Sequence, residues 1–132
     1  MGAITYLLDT HTFIWAVRDD HKLSNNARMA IKDATAQLYV SVVSAYEITN
    51  KYRIGKLPGY EHVAKNYFDF LHELGTIELP VNVRHAHFAG SFEWGHKDPF
   101  DRILAAQAYI DNLTLITNDT AFHSLPWITV LW

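Results

Sequence analysis

With 132 residues, 49% of them hydrophobic, the chain has enough apolar material for one core, and 1–132 reads as a single domain. It has no cysteine, which excludes a disulfide framework, a thiolate metal site and a cysteine nucleophile. A net charge of -3 excludes a broad basic surface, so affinity for nucleic acid has to come from a local patch or from metal ions beside an acidic site.

No apolar run approaches the ~20 residues of a membrane span. The opening MGAITYLLDT lacks the basic start and small-residue cleavage site of a secretory signal, so the expectation is a cytoplasmic protein. The run AITYLL (3–8) predicts a buried strand that stops at the polar DTHT, and a helix follows over 12–18. Ser24 is placed to cap a second helix, and QLYVSVV (37–43) predicts a second buried strand that delivers the chain to Ser44. A helix runs from Ala45 to about Ile54, where Gly55 stops it.

Tyr60, Val63, Ala64, Tyr67, Phe68, Leu71 and Leu74 recur at helical spacing and predict one amphipathic helix ended by Gly75. TIELP (76–80) is a short strand. Pro99 suits the first turn of a helix over 98–110, LTLIT (113–117) is a fourth strand, and 127–131 a fifth, short one. Strands alternating with helices across short connections imply an α/β three-layer sandwich, with a mainly parallel sheet of four to five strands between helices. Ligands of such sheets sit outside the carboxyl ends of the strands.

Four acids fall at those ends. Asp9 follows the first strand, Glu47 lies in the first turn of the helix after the second, Asp101 opens a late helix, and Asp119 follows LTLIT. Carboxylates gathered at one place repel one another, and a hard cation that wants oxygen ligands is the physical reason to gather them. Each acid also has a local reading: Asp9 or Thr10 as an N-cap, Ser44 with Glu47 as a capping box, Asp98 before Pro99 as an N-cap, Asp101 as a first-turn acid, and Asp119 as a turn residue. Yet those same local readings put every acid at a strand-to-helix junction on one edge of the sheet. Asp98 is the most cap-like of the set, and Asp119 the acid most easily explained by a turn.

The strings LLDTHTFIW, VSVVSAYEITNKYRIGKL, HKDPFDRILAAQA and LITND, in this order and spacing, resemble the PIN-domain ribonucleases, in particular the VapC-type toxins of bacterial toxin–antitoxin pairs. The resemblance covers nearly the whole chain and implies one PIN-like nuclease domain. Its acidic residues fall on Asp9, Glu47, Asp101 and Asp119, with Asp98 as a further candidate ligand. It implies Mg²⁺ or Mn²⁺ as cofactor, RNA as substrate, a small antitoxin that blocks the site, and a homodimer. Tyr46 stands where relatives of this subgroup often carry Trp.

In such a site the metal assists attack of water on the scissile phosphate, which leaves a 5′-phosphate and a 3′-hydroxyl. Lys51, Lys56, Lys97 and Arg102 flank the acids and are read either as contacts to the RNA backbone or as solvated charge, Glu47 and Lys51 also forming a helical i,i+4 pair. Three other readings remain open. His85, His87 and His96 suggest a transition-metal site, although without cysteine or repeated ligand spacing. Asp9 suggests a phosphatase nucleophile, although His11 stands where the partner acid of that chemistry belongs. Trp15, Tyr52, Trp94 and Trp132 suggest a non-catalytic interaction module whose acids only cap helices.

Overall fold

Five strands and seven α-helices alternate along residues 3–132, the part of the chain that the computed structural model describes. The strands are β1 (Thr5–Leu8), β2 (Gln37–Ser41), β3 (Ile77–Leu79), β4 (Thr114–Ile116) and β5 (Thr129–Leu131). The helices are α1 (Thr10–Arg18), α2 (Asn25–Lys32), α3 (Val42–Arg53), α4 (Glu61–Lys65), α5 (Tyr67–Leu74), α6 (Val83–Ser91) and α7 (Pro99–Ile110). All strand pairs are parallel, in the order β3-β2-β1-β4-β5.

Alternation along β1 explains the layers. Tyr6 and Leu8 face a core with Phe13, Ile14, Ile48 and Phe70 from α1, α3 and α5, whereas Leu7 faces Leu104, Ala105 and Ala108 of α7 together with Phe122. Both faces of the strand are therefore apolar, as a parallel sheet covered on two sides requires. The chain builds β2 and β3 to one side of β1, then crosses to β4 and β5 on the other. The direction of winding reverses between β1 and β4, and a crevice opens there at the carboxyl ends.

Four expectations need correction. The second strand ends at Ser41, not Val43, because the Ser41 hydroxyl accepts from Val43 N at 3.2 Å and starts α3 there. That earlier start carries Ser44 into the helix and Glu47 into its second turn, so the Ser44–Glu47 capping box does not form. The helix expected over 60–74 is two helices, broken at Asn66, which leaves helical geometry at φ -120° and ψ 35° while its amide bonds His62. Gly75 ends the second of them in the left-handed region at φ 74°, where Thr76 N reaches back to Leu71 O. Finally, α6 was not expected at all: Asn82 caps it, and His85 at its third position completes the capping box by accepting from Asn82 N at 3.1 Å.

Among the described residues, no helix is long and apolar enough to cross a membrane.

Candidate active site

At the crevice, the end of β1 is stitched to the end of β4. Asp9 N donates to Ile116 O at 3.2 Å and Thr12 Oγ1 donates to the same carbonyl at 2.8 Å. This fixes Asp9 as the N-cap of α1, with Oδ1 accepting from Thr12 N at 2.7 Å. Its other oxygen accepts from the Thr117 hydroxyl, one residue past β4. Asp9 is only 8% exposed, and burial raises its pKa above the ordinary carboxylate value against the opposing pull of these hydrogen bonds.

Glu47 reaches the same place from α3. Its Oε1 accepts from Thr10 Oγ1 at 2.7 Å and its Oε2 from Lys51 Nζ at 2.7 Å. Because Thr10 spends its one hydroxyl proton on Glu47, Ser44 Oγ donates to Thr10 Oγ1 at 2.9 Å. Ser44, read from sequence as a cap, thus steadies the residue that holds Glu47.

The opposite wall comes from the start of α7. Asp98 caps it, Oδ1 accepting from Phe100 N at 2.9 Å. Asp101, in the first turn, accepts from His96 Nε2 at 2.6 Å through Oδ2. Burial pushes the Asp101 carboxyl up to about 6, the His96 bond opposes this, and the nearby charges of Asp98 and Asp119 add to the rise. Helix N-termini favour carboxylates by only about 0.3–1 kcal/mol in exposed settings, so burial and like charge win here. Asp119, after β4, caps the 3₁₀ turn Thr120–Ser124 by accepting from Ala121 N at 3.0 Å.

All five acids, Asp9, Glu47, Asp98, Asp101 and Asp119, line one cleft of about 480 Å³. Lys51 is the one lysine or arginine among the described residues that line it, and it is bound to Glu47. The tightest set of metal-type donors among the described residues is His96, Asp98 and Asp101, whose ligand atoms lie within 4.8 Å of one another. Five carboxylates facing one paired lysine, with two of them driven towards the neutral form, are a donor set that fits a hard divalent cation.

The remaining candidates separate cleanly. Lys56 and Lys97 are exposed and do not line the cleft. Arg102 is engaged within the fold: its guanidinium donates to the carbonyls of Ala89 at 2.8 Å, His96 at 3.1 Å and Trp94 at 3.4 Å, and also to that of Phe92. It is a staple for the loop 92–98, seated 4.3 Å over the Phe92 ring. The three histidines are not one site. His85 is buried and bonded to Asn82 and Asp111, and His87 lies exposed on α6. His96 alone joins the acids. Its place five residues before Asp101 was the available signal.

The PIN domain family model matches residues 6–128. The chain is a member of the PIN domain family. Ribonuclease VapC16 of Mycobacterium tuberculosis is 38% identical over 65 residues, a stretch that makes up 49% of this chain and 45% of that protein. The chain therefore matches less than half the length of that relative. Among solved structures, a DNA-bound VapBC from Salmonella typhimurium superposes with a TM-score of 0.73 at 18% identity, covering 97% of each chain. A toxin–antitoxin complex from Klebsiella pneumoniae superposes with a TM-score of 0.67 at 18% identity, covering 96% of each. At such identity these structures speak for the fold, and they share with this PIN domain a sheet between helices.

Proposed function

We propose that this PIN domain is a divalent-metal-dependent endoribonuclease, the toxin of a toxin–antitoxin pair. The observation that carries the reading is the acid cleft at the β1/β4 crevice, where carboxylates from four separate segments meet with almost no compensating positive charge. The ribonuclease name of the partial relative and the toxin–antitoxin assemblies among the structural neighbours favour RNA as substrate and a small antitoxin as partner. We read the working state as a homodimer, in line with the exposed apolar side chains Tyr46, Phe68 and Val83.

Asp9, Glu47, Asp101 and Asp119 would hold Mg²⁺ or Mn²⁺, with Asp98 at the rim. The bound ion supplies Lewis acidity to the scissile phosphate and to an attacking water. The chain's own part is positional. Thr12 and Thr117 fix both oxygens of Asp9, Thr10 and Lys51 fix those of Glu47, and His96 fixes one oxygen of Asp101. Carboxylates held this way do not need to reorganise when the phosphate arrives. Their charge also keeps RNA out until a cation is present, so binding and metal loading are coupled.

Purified protein is expected to cut single-stranded RNA in Mg²⁺ or Mn²⁺, to leave 5′-phosphate ends, and to stop in EDTA. Undiminished cleavage in EDTA would refute the metal mechanism. A non-catalytic module would show no cleavage and no gain in Tm with Mn²⁺.

A further inference from the structure

The cleft has one wall that is not acidic. His11 and Trp15, four residues apart on the same face of α1, both line it. His11 is exposed and Trp15 half-buried, and their rings lie 5.7 Å apart at 48°. Trp132 stands beyond Trp15, with ring centroids 6.0 Å apart at 58°. Neither neighbour lies parallel to the Trp15 indole.

Trp94 is a different kind of tryptophan. It stacks on Phe92 at 28°, packs against Phe122 and donates its indole N–H to Ser124 Oγ at 2.9 Å. Its ring and polar atom are both consumed by the fold. Trp15 lines the cleft beside the carboxylates, and both of its aromatic neighbours are tilted to its ring.

Charge makes that face matter. Nucleic-acid binding usually draws on lysine and arginine against phosphate, and among the described residues this cleft offers only Lys51, already bound to Glu47. Beyond the cation itself, attraction has to come from contacts indifferent to phosphate charge. Base stacking on aromatic side chains is the available one, and it selects unpaired bases because only those can leave the helix stack.

We infer that the Trp15 indole, edged by the tilted His11 ring, is a stacking surface for one unpaired nucleobase beside the carboxylates, so that the site recognises a base as well as a phosphate. The inference rests on the nuclease reading above, so its test separates base from phosphate. With Mg²⁺ present, adenosine 5′-monophosphate and ribose 5-phosphate are titrated in turn, following the Trp15 indole N–H resonance by NMR. That resonance is assigned by its loss in Trp15→Phe, since the chain has four tryptophans.

The nucleotide is expected to move the Trp15 resonance and to bind at least about five-fold tighter than the sugar phosphate. In cleavage assays, Trp15→Leu keeps apolar bulk against the core but has no π-face. It should raise KM for single-stranded RNA about ten-fold or more while its Mn²⁺-dependent Tm gain stays that of the parent, whereas Trp15→Phe should restore most of the KM. Equal binding of the two phosphates, or an unmoved Trp15 resonance, in a protein that still cuts RNA overturns the platform alone. If neither phosphate binds and no RNA is cut, the nuclease reading falls and the platform falls with it.

Discussion

Asp9 and Asp101 face the same cleft from opposite walls, and the two walls are built differently. Asp9 sits at the junction of β1, α1 and β4, where backbone and hydroxyl donors occupy both of its oxygens. Asp101 has one side-chain donor, His96, which itself rides on the loop 92–98. That loop has no strand or helix of its own between Ser91 and Pro99 and is held in place through Arg102. One wall is thus fixed by the sheet, the other by side chains: the Arg102 guanidinium clamping carbonyls, with Trp94 bonded to Ser124 and packed against Phe122. The contrast shows how a site can combine a half fixed by the sheet with a half whose position depends on a few side chains.

The largest effect should come from removing charge at either wall. Asn caps a helix about as well as Asp, so Asp9→Asn should stay folded, and Asp101→Asn, nearly isosteric in the first turn behind the Asp98 cap, should as well. Loss of one negative ligand should nonetheless lower RNA cleavage by about two orders of magnitude or more. Cleavage rates and Tm measured side by side with the parent check this. Parental rates in both variants would remove the acids from the chemistry and leave Asp9 as a cap and Asp101 as a first-turn acid.

Next in size is a break confined to the loop-built wall. Arg102→Met preserves length and apolar contact with Phe92 but strips four carbonyls of their donor. Hydrogen bonds to a charged group are worth about 1.5–3 kcal/mol, and a loss of about 2–3 kcal/mol corresponds to roughly 5–12 °C in a domain of this size. Because His96 and Asp98 lie in or beside the loop, activity should fall as well, with a weakened response to Mn²⁺. A variant that melts lower but cleaves at the parental rate would show that the loop does not position the acids.

The same contrast governs what could be read from sequence. The sheet-built wall was legible, since a buried apolar run ending in Asp-Thr fixes both a strand and a cap, and all four principal acids do line one cleft. The loop-built wall was legible only at Asp98 and Asp101, where Pro99 marks the helix start. Arg102 looked like a solvated cation, because nothing local shows that a chain ten residues back will turn its carbonyls towards it. The helix α6 escaped notice for a related reason: its capping box uses His85, where Glu or Gln is the usual signal. Glu47 was placed one turn too early because the β-branched Val42 and Val43 read as strand, while the Ser41 cap overrides their preference. His11 and Trp15 gave no sign of sharing a wall with the acids, since that depends on where α1 packs.

A smaller effect is expected from pH acting on Asp101 without metal. Its carboxyl is raised from an ordinary 3.8 to about 6 in the fold. Between those values the folded chain binds more protons than the unfolded one, so stability falls as pH rises from about 4 to about 6, and the penalty is complete above 6. Asp101→Asn should therefore melt above the parent at pH 7–8 in EDTA, by an amount on the order of 1–2 kcal/mol, and the gap should close towards pH 4. Added Mn²⁺ should stabilise the parent more than the variant. A gap that widens towards acid would mean that the Asp101 carboxylate is stabilised by the fold, contrary to its burial.

The smallest effect separates cap from ligand at Asp98, which occupies the exposed edge of the loop-built wall. Its Oδ1 takes the N–H of Phe100 at 2.9 Å and, more weakly, that of Asp101 at 3.4 Å, so it orients the turn that presents Asp101. If capping is its whole task, Asp98→Asn should keep both Tm and most of the cleavage rate, because the amide oxygen accepts the same hydrogen bonds. Asp98→Ala should then cost about 0.5–2 kcal/mol of stability, and activity should follow only through the loosened first turn of α7. If Asp98 also binds the cation, as its place within 4.8 Å of His96 and Asp101 allows, the two substitutions part company. Asp98→Asn would then hold its Tm while requiring a higher Mn²⁺ concentration for half-maximal cleavage. Titrating Mn²⁺ against cleavage for Asp98→Asn, with Asp98→Ala as the measure of lost capping, distinguishes the two roles in one experiment. An unchanged Mn²⁺ midpoint assigns Asp98 to the helix and leaves the cation to the four acids deeper in the cleft.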